Sequence, residues 1–150
     1  MNKTRRIRRS RGVALVELAL ILPVMLVMTF IVTEYGRAIY QYNTLTKSVR
    51  DAARYLSFQT PETHRAQARN LLVYGNLGGT GTPLALGLTA ANVPDANIFW
   101  ATTTPPDPVM ATVTVRITGY QFRSIFPTAF GLPFGTITFS NIEATMRSHL

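Results

Sequence analysis

Residues Arg11 to Pro23 read RGVALVELALILP, and this block decides how the rest of the chain is read. It opens an apolar run from Val13 to Val32, twenty residues whose only charge is Glu17 and whose only helix breaker is Pro23. At ~1.5 Å per residue, a helix of that length crosses a hydrocarbon core of about 30 Å. A surface helix of a globular domain carries a polar face, and this run has none beyond the one carboxylate. The block therefore predicts a membrane-spanning helix.

Toward the N-terminus, Lys3, Arg5, Arg6, Arg8, Arg9 and Arg11 put six cations in eleven residues with no acid among them. Such a block stays on the cytoplasmic side, which orients the N-terminus inward and the C-terminal body outward. A basic arm for nucleic acid is the competing reading of the same charges, but the adjoining span makes orientation the better account. A cleaved secretory signal would have a shorter apolar part, about 7 to 15 residues, ending at small residues of the A-x-A kind. Thr33-Glu34-Tyr35-Gly36 offers no such site. An uncleaved anchor shares the pattern but gives no reason for Glu17. A carboxylate in the membrane centre costs roughly 2.5 to 3.5 kcal/mol, and less near a helix end. A free α-amine made by cutting after Gly12 would offset that cost, leaving Val13 as residue one and Glu17 as residue five.

Gly12, Val13, Ala14, Leu15, Val16 and Glu17 resemble the leader junction of the type IVb, Flp-type prepilins. In that family a short basic leader ends in glycine and precedes an apolar helix with glutamate at mature position five. More narrowly, the chain is similar to the TadE-like minor pilins, or pseudopilins, of tight-adherence secretion systems. The similarity lies in the G-x-A-L-V-E-x-A-L-x-x-P block from Gly12 to Pro23, the polar helix after it and a small strand-rich C-terminal body. Leu18 stands where many major Flp pilins carry tyrosine, and major subunits are very short; both differences favour a minor subunit. The resemblance is specific over residues 9 to 60 and loose beyond them.

The resemblance implies that a membrane aspartate protease, the prepilin peptidase, cuts between Gly12 and Val13 and often methylates the new N-terminus. It implies as partners that peptidase, the major and minor Flp pilins, the pilus assembly platform and the lipid bilayer, with no cofactor. It implies a bacterial inner membrane location, or incorporation in a pilus. Glycine suits the scissile position because, without a Cβ, it lets an extended backbone enter a tight protease cleft. Glu17 would pair with the α-amine of a neighbouring subunit; its plainer reading is a tolerated polar residue near the cytoplasmic interface. Pro23 removes a backbone donor and predicts a kink or local opening. A kink within a helix bundle and helix melting during extraction both remain open.

Leader removal takes six of the fifteen Lys and Arg residues and leaves nine against seven acids, so the formal net charge falls from +8 to +2. The high pI belongs mostly to the leader and gives no argument for nucleic-acid binding by the mature body.

Beyond the span, Tyr35, Ala38, Tyr42, Leu45, Val49, Ala52 and Leu56 alternate at spacings of three and four. This is an apolar seam, with Arg37, Lys47, Arg50, Asp51 and Arg54 on the wetter side. It predicts an unbroken helix from Val13 to about Phe58. The Leu45 to Leu56 half is expected to carry the protein's own C-terminal body, and the Tyr35 to Tyr42 part to meet other subunits. Tyr35, Tyr40 and Tyr42 also suit a membrane interface.

A second helix is expected from Thr60 as N-cap, Pro61 at the first helical position, Glu62 in the first turn and Gly75 as a stop, with Ala68, Leu71 and Leu72 on one side. The glycine-rich stretch Gly75 to Gly87 predicts a mobile loop without a phosphate-binding pattern. Strands are expected at Ile98 to Thr103 and, after a Pro105-Pro106-Asp107-Pro108 turn, at Val109 to Phe122. There Ala111, Val113, Val115 and Ile117 share one face and Thr112, Thr114, Arg116 and Thr118 the other. A third strand, Thr136 to Arg147, places Ile137 and Phe139 inward and needs a bulge near Ser140-Asn141 to bring Ile142, Ala144 and Met146 to the same face.

The expected fold class is α+β: a long transmembrane helix continuing into a pilin-like helix, a short second helix, and a three-stranded antiparallel sheet packed on the long helix. The expected divisions are a leader at 1–12, a span at 13–33, a helical continuation at 34–58 and a small domain at 59–150. Trp100, Phe122, Phe126, Phe130, Phe134 and Phe139 are expected to fill its core, with an adhesive patch as the alternative and the segment Phe122 to Phe134 as the part that crosses the surface.

Enzymatic chemistry finds no purchase. There are no cysteines, and the two histidines, His64 and His149, lie far apart without ligand spacing. No nucleophile-elbow or metalloprotease motif accompanies the serines or acids. The expected function is that of a non-catalytic minor pilin, processed at Gly12 and needed for assembly of a Flp-type pilus. The alternative is an uncleaved single-pass anchor whose outer domain binds an envelope partner.

Overall fold

The structure, a computed structural model, describes residues 6–104, 110–125, 128–129, 132–133 and 136–148. Helix α1 runs from Arg6 to Ser57 as one element of 52 residues, which is ~78 Å at the ordinary helical rise. It ends within one residue of the expected position, where the Phe58 and Gln59 amides donate to the Tyr55 and Leu56 carbonyls in a tightened last turn. Its start lies seven residues upstream of the expected one, so the helix passes through Gly12 and Val13.

The seam on α1 is an intramolecular contact from Ala38 onward. Leu45, Val49, Ala52, Ala53 and Leu56 are fully buried, and each belongs to the single core cluster. Ala53 joins because the buried stripe follows the 3.6-residue helical period rather than a strict seven-residue repeat. Tyr35 and Tyr42, the membrane-side members of the seam, stay exposed.

Helix α2, Arg65–Tyr74, packs its Ala68, Leu72 and Val73 against α1. It begins five residues after the expected N-cap, Thr60. Glu62 and His64 adopt left-handed φ values of 66° and 58°, and the Thr63 amide donates to the Thr60 carbonyl. Pro61-Glu62 is therefore a turn, with His64 as the N-cap. Leu71 is half-buried and Val73 takes its expected place in the core. Gly75 stops the helix as expected, at φ 74° with its amide on the Leu71 carbonyl.

The glycine-rich stretch that follows is pinned at several points rather than loose. Asn70 donates to the Leu77 carbonyl, Asn76 to the Thr80 carbonyl, and the Leu84 amide to the Val73 carbonyl. Ala85 and Leu88 then enter the core. Two short 3-10 turns, Ala90–Asn92 and Asp95–Asn97, lead into the sheet.

Strand β1, Ile98–Thr102, pairs antiparallel with β2, Ala111–Ile117. After β3, Gln121–Phe122, β4, Thr128–Ala129, β5, Leu132–Pro133, and β6, Ile137–Thr138, the last strand β7, Ile142–Ser148, pairs antiparallel with the other edge of β2. The three-stranded sheet thus has the order β1-β2-β7. Val115 lies between Ile98 and Ala144, and Val113 between Trp100 and Met146. This register puts the expected apolar face of β2 against α1, with Val113 and Val115 fully buried. On the other face Thr114 meets Thr145 at 2.8 Å, and Arg116 meets Glu143 at 2.7 Å.

Two strand expectations are corrected. The central strand stops at Ile117, because Gly119 turns the chain at φ 66° and Gln121–Phe122 pairs separately with β6. In place of a bulge, the last strand is divided into β6 and β7 around Phe139 to Asn141. Ile142, Ala144 and Met146 still reach the core face, whereas Ile137 is exposed. The Pro105 to Pro108 turn, residue Val109, the aromatics Phe126, Phe130 and Phe134, and His149 lie outside the described residues.

Candidate functional site along the long helix

From Gly12 to Val32 the helix has no buried residue. Val13, Leu15, Val16, Leu20 and Val32 are all more than half exposed, and from Gly12 onward no described residue before Glu34 is buried. Among the described helices, this one alone is long and apolar enough to cross a membrane. The N-terminal half of α1 therefore has the length, composition and exposure of a single-pass anchor.

The residues singled out by sequence sit along this bare half. No neighbouring atom lies within 4 Å of where a Cβ on Gly12 would stand. Val13 and Glu17 are one turn apart on one side of the helix, ~6 Å along the axis. Glu17 is exposed. The helix passes Pro23 as part of one continuous element. Thr29 and Thr33 donate to the Met25 and Thr29 carbonyls at 2.8 Å, keeping their hydroxyls satisfied without an external partner.

Where the bare half ends, the domain begins at once. Glu34 is buried, its Oε1 accepting from Arg37 Nη1 at 2.7 Å, while its Oε2 is buried with no hydrogen-bond partner among the described residues. The Arg37 guanidinium lies 5.5 Å from the centroid of the buried Phe122 ring. One turn further, the Tyr120 hydroxyl meets Gln41 Oε1 at 2.8 Å and the Leu86 carbonyl at 3.0 Å. Phe139 completes the junction, edge-on to Tyr42 at 5.5 Å and tilted on Tyr120 at 5.7 Å. Burial raises the Tyr120 phenol above its ordinary pKa of 10.0, with the Arg37 charge opposing the shift.

Sequence reasoning missed this junction. The seam pattern places Arg37 on the wet side, and it gives Glu34, Gln41 and Tyr120 no role. The Glu34-x-x-Arg37 spacing was the available signal, because an i,i+3 pair can fold its charge inward. At the far end Arg69 ties α2 to the Val93 carbonyl at 2.9 Å and to the Asp95 carboxylate, while Arg65 lies over Trp100 at 5.2 Å. Lys47, Arg50, Asp51 and Arg54 are exposed as expected. His64 is exposed beside Thr63 and Tyr55, and no cluster of metal-ligating side chains occurs among the described residues.

The arrangement can present a bare apolar helix to lipid or to other helices while carrying a folded domain on its other half. Neither the curated proteins nor the solved structures yield a match to this chain. A family model, TadE-like protein, matches residues 12–54. The matched segment starts at Gly12, runs the length of the bare half and ends in the last turn of α1. Over its long helix, residues 12–54, the chain is similar to the TadE-like proteins.

Proposed function

We propose that the chain is a minor pilin, or pseudopilin, of a tight-adherence pilus. In this reading residues 1–12 are a basic leader, 13–33 the span, 34–58 its extramembrane continuation and 59–150 the outer domain. Prepilin peptidase cuts between Gly12 and Val13 in the inner membrane, with the N-terminus cytoplasmic and the domain outside. The mature chain then takes a non-catalytic place among Flp pilins and the assembly platform.

The observation that carries this reading is the division of α1. One half, headed by Gly12-Val13 and bearing Glu17, has no buried residue from Gly12 to Thr33, while the other half carries the buried stripe that packs on the domain. An apolar helix with no buried residue over such a length gains its stability from surroundings outside the chain. In the membrane those surroundings are lipid; in a fibre they are neighbouring helices, and the Glu17 carboxylate then meets a neighbour's α-amine. Cleavage requires the helix to open around Gly12, which is the residue where opening is easiest, since glycine weakens a helix interior by ~1 kcal/mol relative to alanine.

The test is to shear pili from cells making the chain and to probe the filament fraction for it. The reading expects the leaderless chain in that fraction, well below the major pilin in amount. A chain found only in the membrane, leader attached, would favour a permanent anchor instead.

A further inference from the structure

The edge of the sheet at β1 is open backbone. In the order β1-β2-β7, β1 pairs on one side only. The Thr103 amide donates to the Met110 carbonyl at 3.0 Å, which fixes the phase of the antiparallel ladder. Counting back in steps of two, Phe99 and Ala101 turn their N–H and C=O groups toward β2, while Trp100 and Thr102 turn theirs away from it. The Ala101 carbonyl, which accepts from the Thr112 hydroxyl at 3.2 Å, agrees with that phase. Among the described residues nothing bonds the backbone groups of Trp100 or Thr102. The Trp100 indole Nε1 is also buried without a partner among them.

Sheet edges are ordinarily guarded by a charge, a proline, a bulge or a covering element. This strand carries no such guard in its sequence: residues 96–104 read ANIFWATTT, without a charge or a proline, and Ala101, Thr102, Thr103 and Thr104 are exposed. Phe99, 37% exposed, lies on the face of the sheet away from the core. Isoleucine, phenylalanine, tryptophan and threonine all favour a pleated strand. Such an edge has the donors, acceptors and side chains to take one more strand.

We propose that β1 receives an extended, uncharged segment of a different protein chain as a fourth strand of the sheet, held by the backbone groups of Trp100 and Thr102. The occupant follows from the edge. Unpaired peptide groups at strand spacing are matched by another peptide backbone, and an edge without charge offers nothing to an ionic partner. A second copy offering its own β1 does not fit. Two β1 strands paired antiparallel are related by a two-fold axis normal to the sheet, which reverses a helix lying along it. Helix α1 lies on β2 and β7, so the two spans would leave the joint sheet in opposite directions. At this step the inference rests on the membrane reading of α1, because opposed spans cannot enter one bilayer.

The probe is a peptide with the sequence of residues 111–117, ATVTVRI, which pairs antiparallel with β1 inside the sheet. The full chain, isotope-labelled for NMR, is placed one copy per nanodisc, and its amide exchange is followed with and without the peptide. Alone, the Trp100 and Thr102 amides should exchange faster than those of Phe99 and Ala101. With the peptide they should slow about tenfold or more, and a peptide N-methylated along its length should not slow them. Thr102→Pro removes a donor outside the ladder and so spares the β1–β2 pairing, while Ala101→Lys puts a charge on the edge; each should weaken the effect several-fold. Exchange at Trp100 and Thr102 that is already slow in the lone chain, or that the peptide leaves unchanged, would overturn the proposal. So would slowing that appears without peptide in discs holding two chains, which would give the edge to a second copy. A chain that fails to stay in the disc would refute the span instead, and that failure shows before any peptide is added.

Discussion

Replacing Leu45 by alanine should test whether the second half of α1 is the spine of the domain. Leu45 is fully buried in the cluster that joins α1, α2 and the sheet. Truncating a buried leucine removes its transfer free energy and leaves a cavity that rigid neighbours fill only partly, costing ~2 to 5 kcal/mol. The upper half of that range applies where the surroundings cannot collapse, and here both walls are regular elements in fixed register. Against a typical domain stability of about 5 to 15 kcal/mol the loss is large. Tyr40, five residues earlier, is 73% exposed, and its truncation should stay within about 0.5 kcal/mol. Urea titration of the full chain in nanodiscs, followed by the fluorescence of the single tryptophan, Trp100, reads both variants. A Leu45→Ala loss under about 1 kcal/mol, or a Tyr40→Ala loss of similar size, would mean that the seam is not the domain's own core.

Glu17→Ala should leave cleavage at Gly12 intact yet impair pilus assembly, because breaking a buried ion pair costs ~3 to 5 kcal/mol; normal piliation in that variant would remove the role given to Glu17. Burial holds the Tyr120 phenol protonated above its ordinary range, so the unfolded chain loses this proton first. The resulting stability is complete below about pH 10 and is lost as pH rises through the folded pKa. Tyr120→Phe should therefore cost ~1 kcal/mol at neutral pH through the lost hydrogen bond and flatten the alkaline fall, which urea titrations at neutral and alkaline pH would reveal. Gly75→Ala forces a side chain into a left-handed position with Leu84 Cδ2 3.2 Å from the new Cβ. It should cost ~1 to 2 kcal/mol, measured by the same titration.

What the sequence discloses about this chain depends on how local the signal is. The apolar run and its seam are periodic along one helix, so Leu45, Val49, Ala52 and Leu56 are legible before any fold is known. The alternation in β2 likewise foretells Val113 and Val115 on the core face. The start of α2 is not legible, because Pro61-Glu62 suits both a first helical turn and a β-turn, and only the left-handed Glu62 decides. Gly119 did carry a signal, since glycine within a strand pattern marks a break. The pinned loop after Gly75 depends on Asn70 and Asn76 reaching backbone carbonyls, which composition cannot disclose. The junction is the least legible part: Tyr120 meets Gln41 across 79 residues of chain, and the buried Glu34 pairs with an Arg37 that lies over Phe122, a residue 85 positions further along the chain.

The most direct test of the whole account is the intact mass and N-terminus of the membrane-bound chain, expressed with and without an active type IV prepilin peptidase. The account predicts a product beginning at Val13 only when the peptidase is present. A chain that keeps its leader from Met1 beside active peptidase, or one cut near Tyr35, would contradict it.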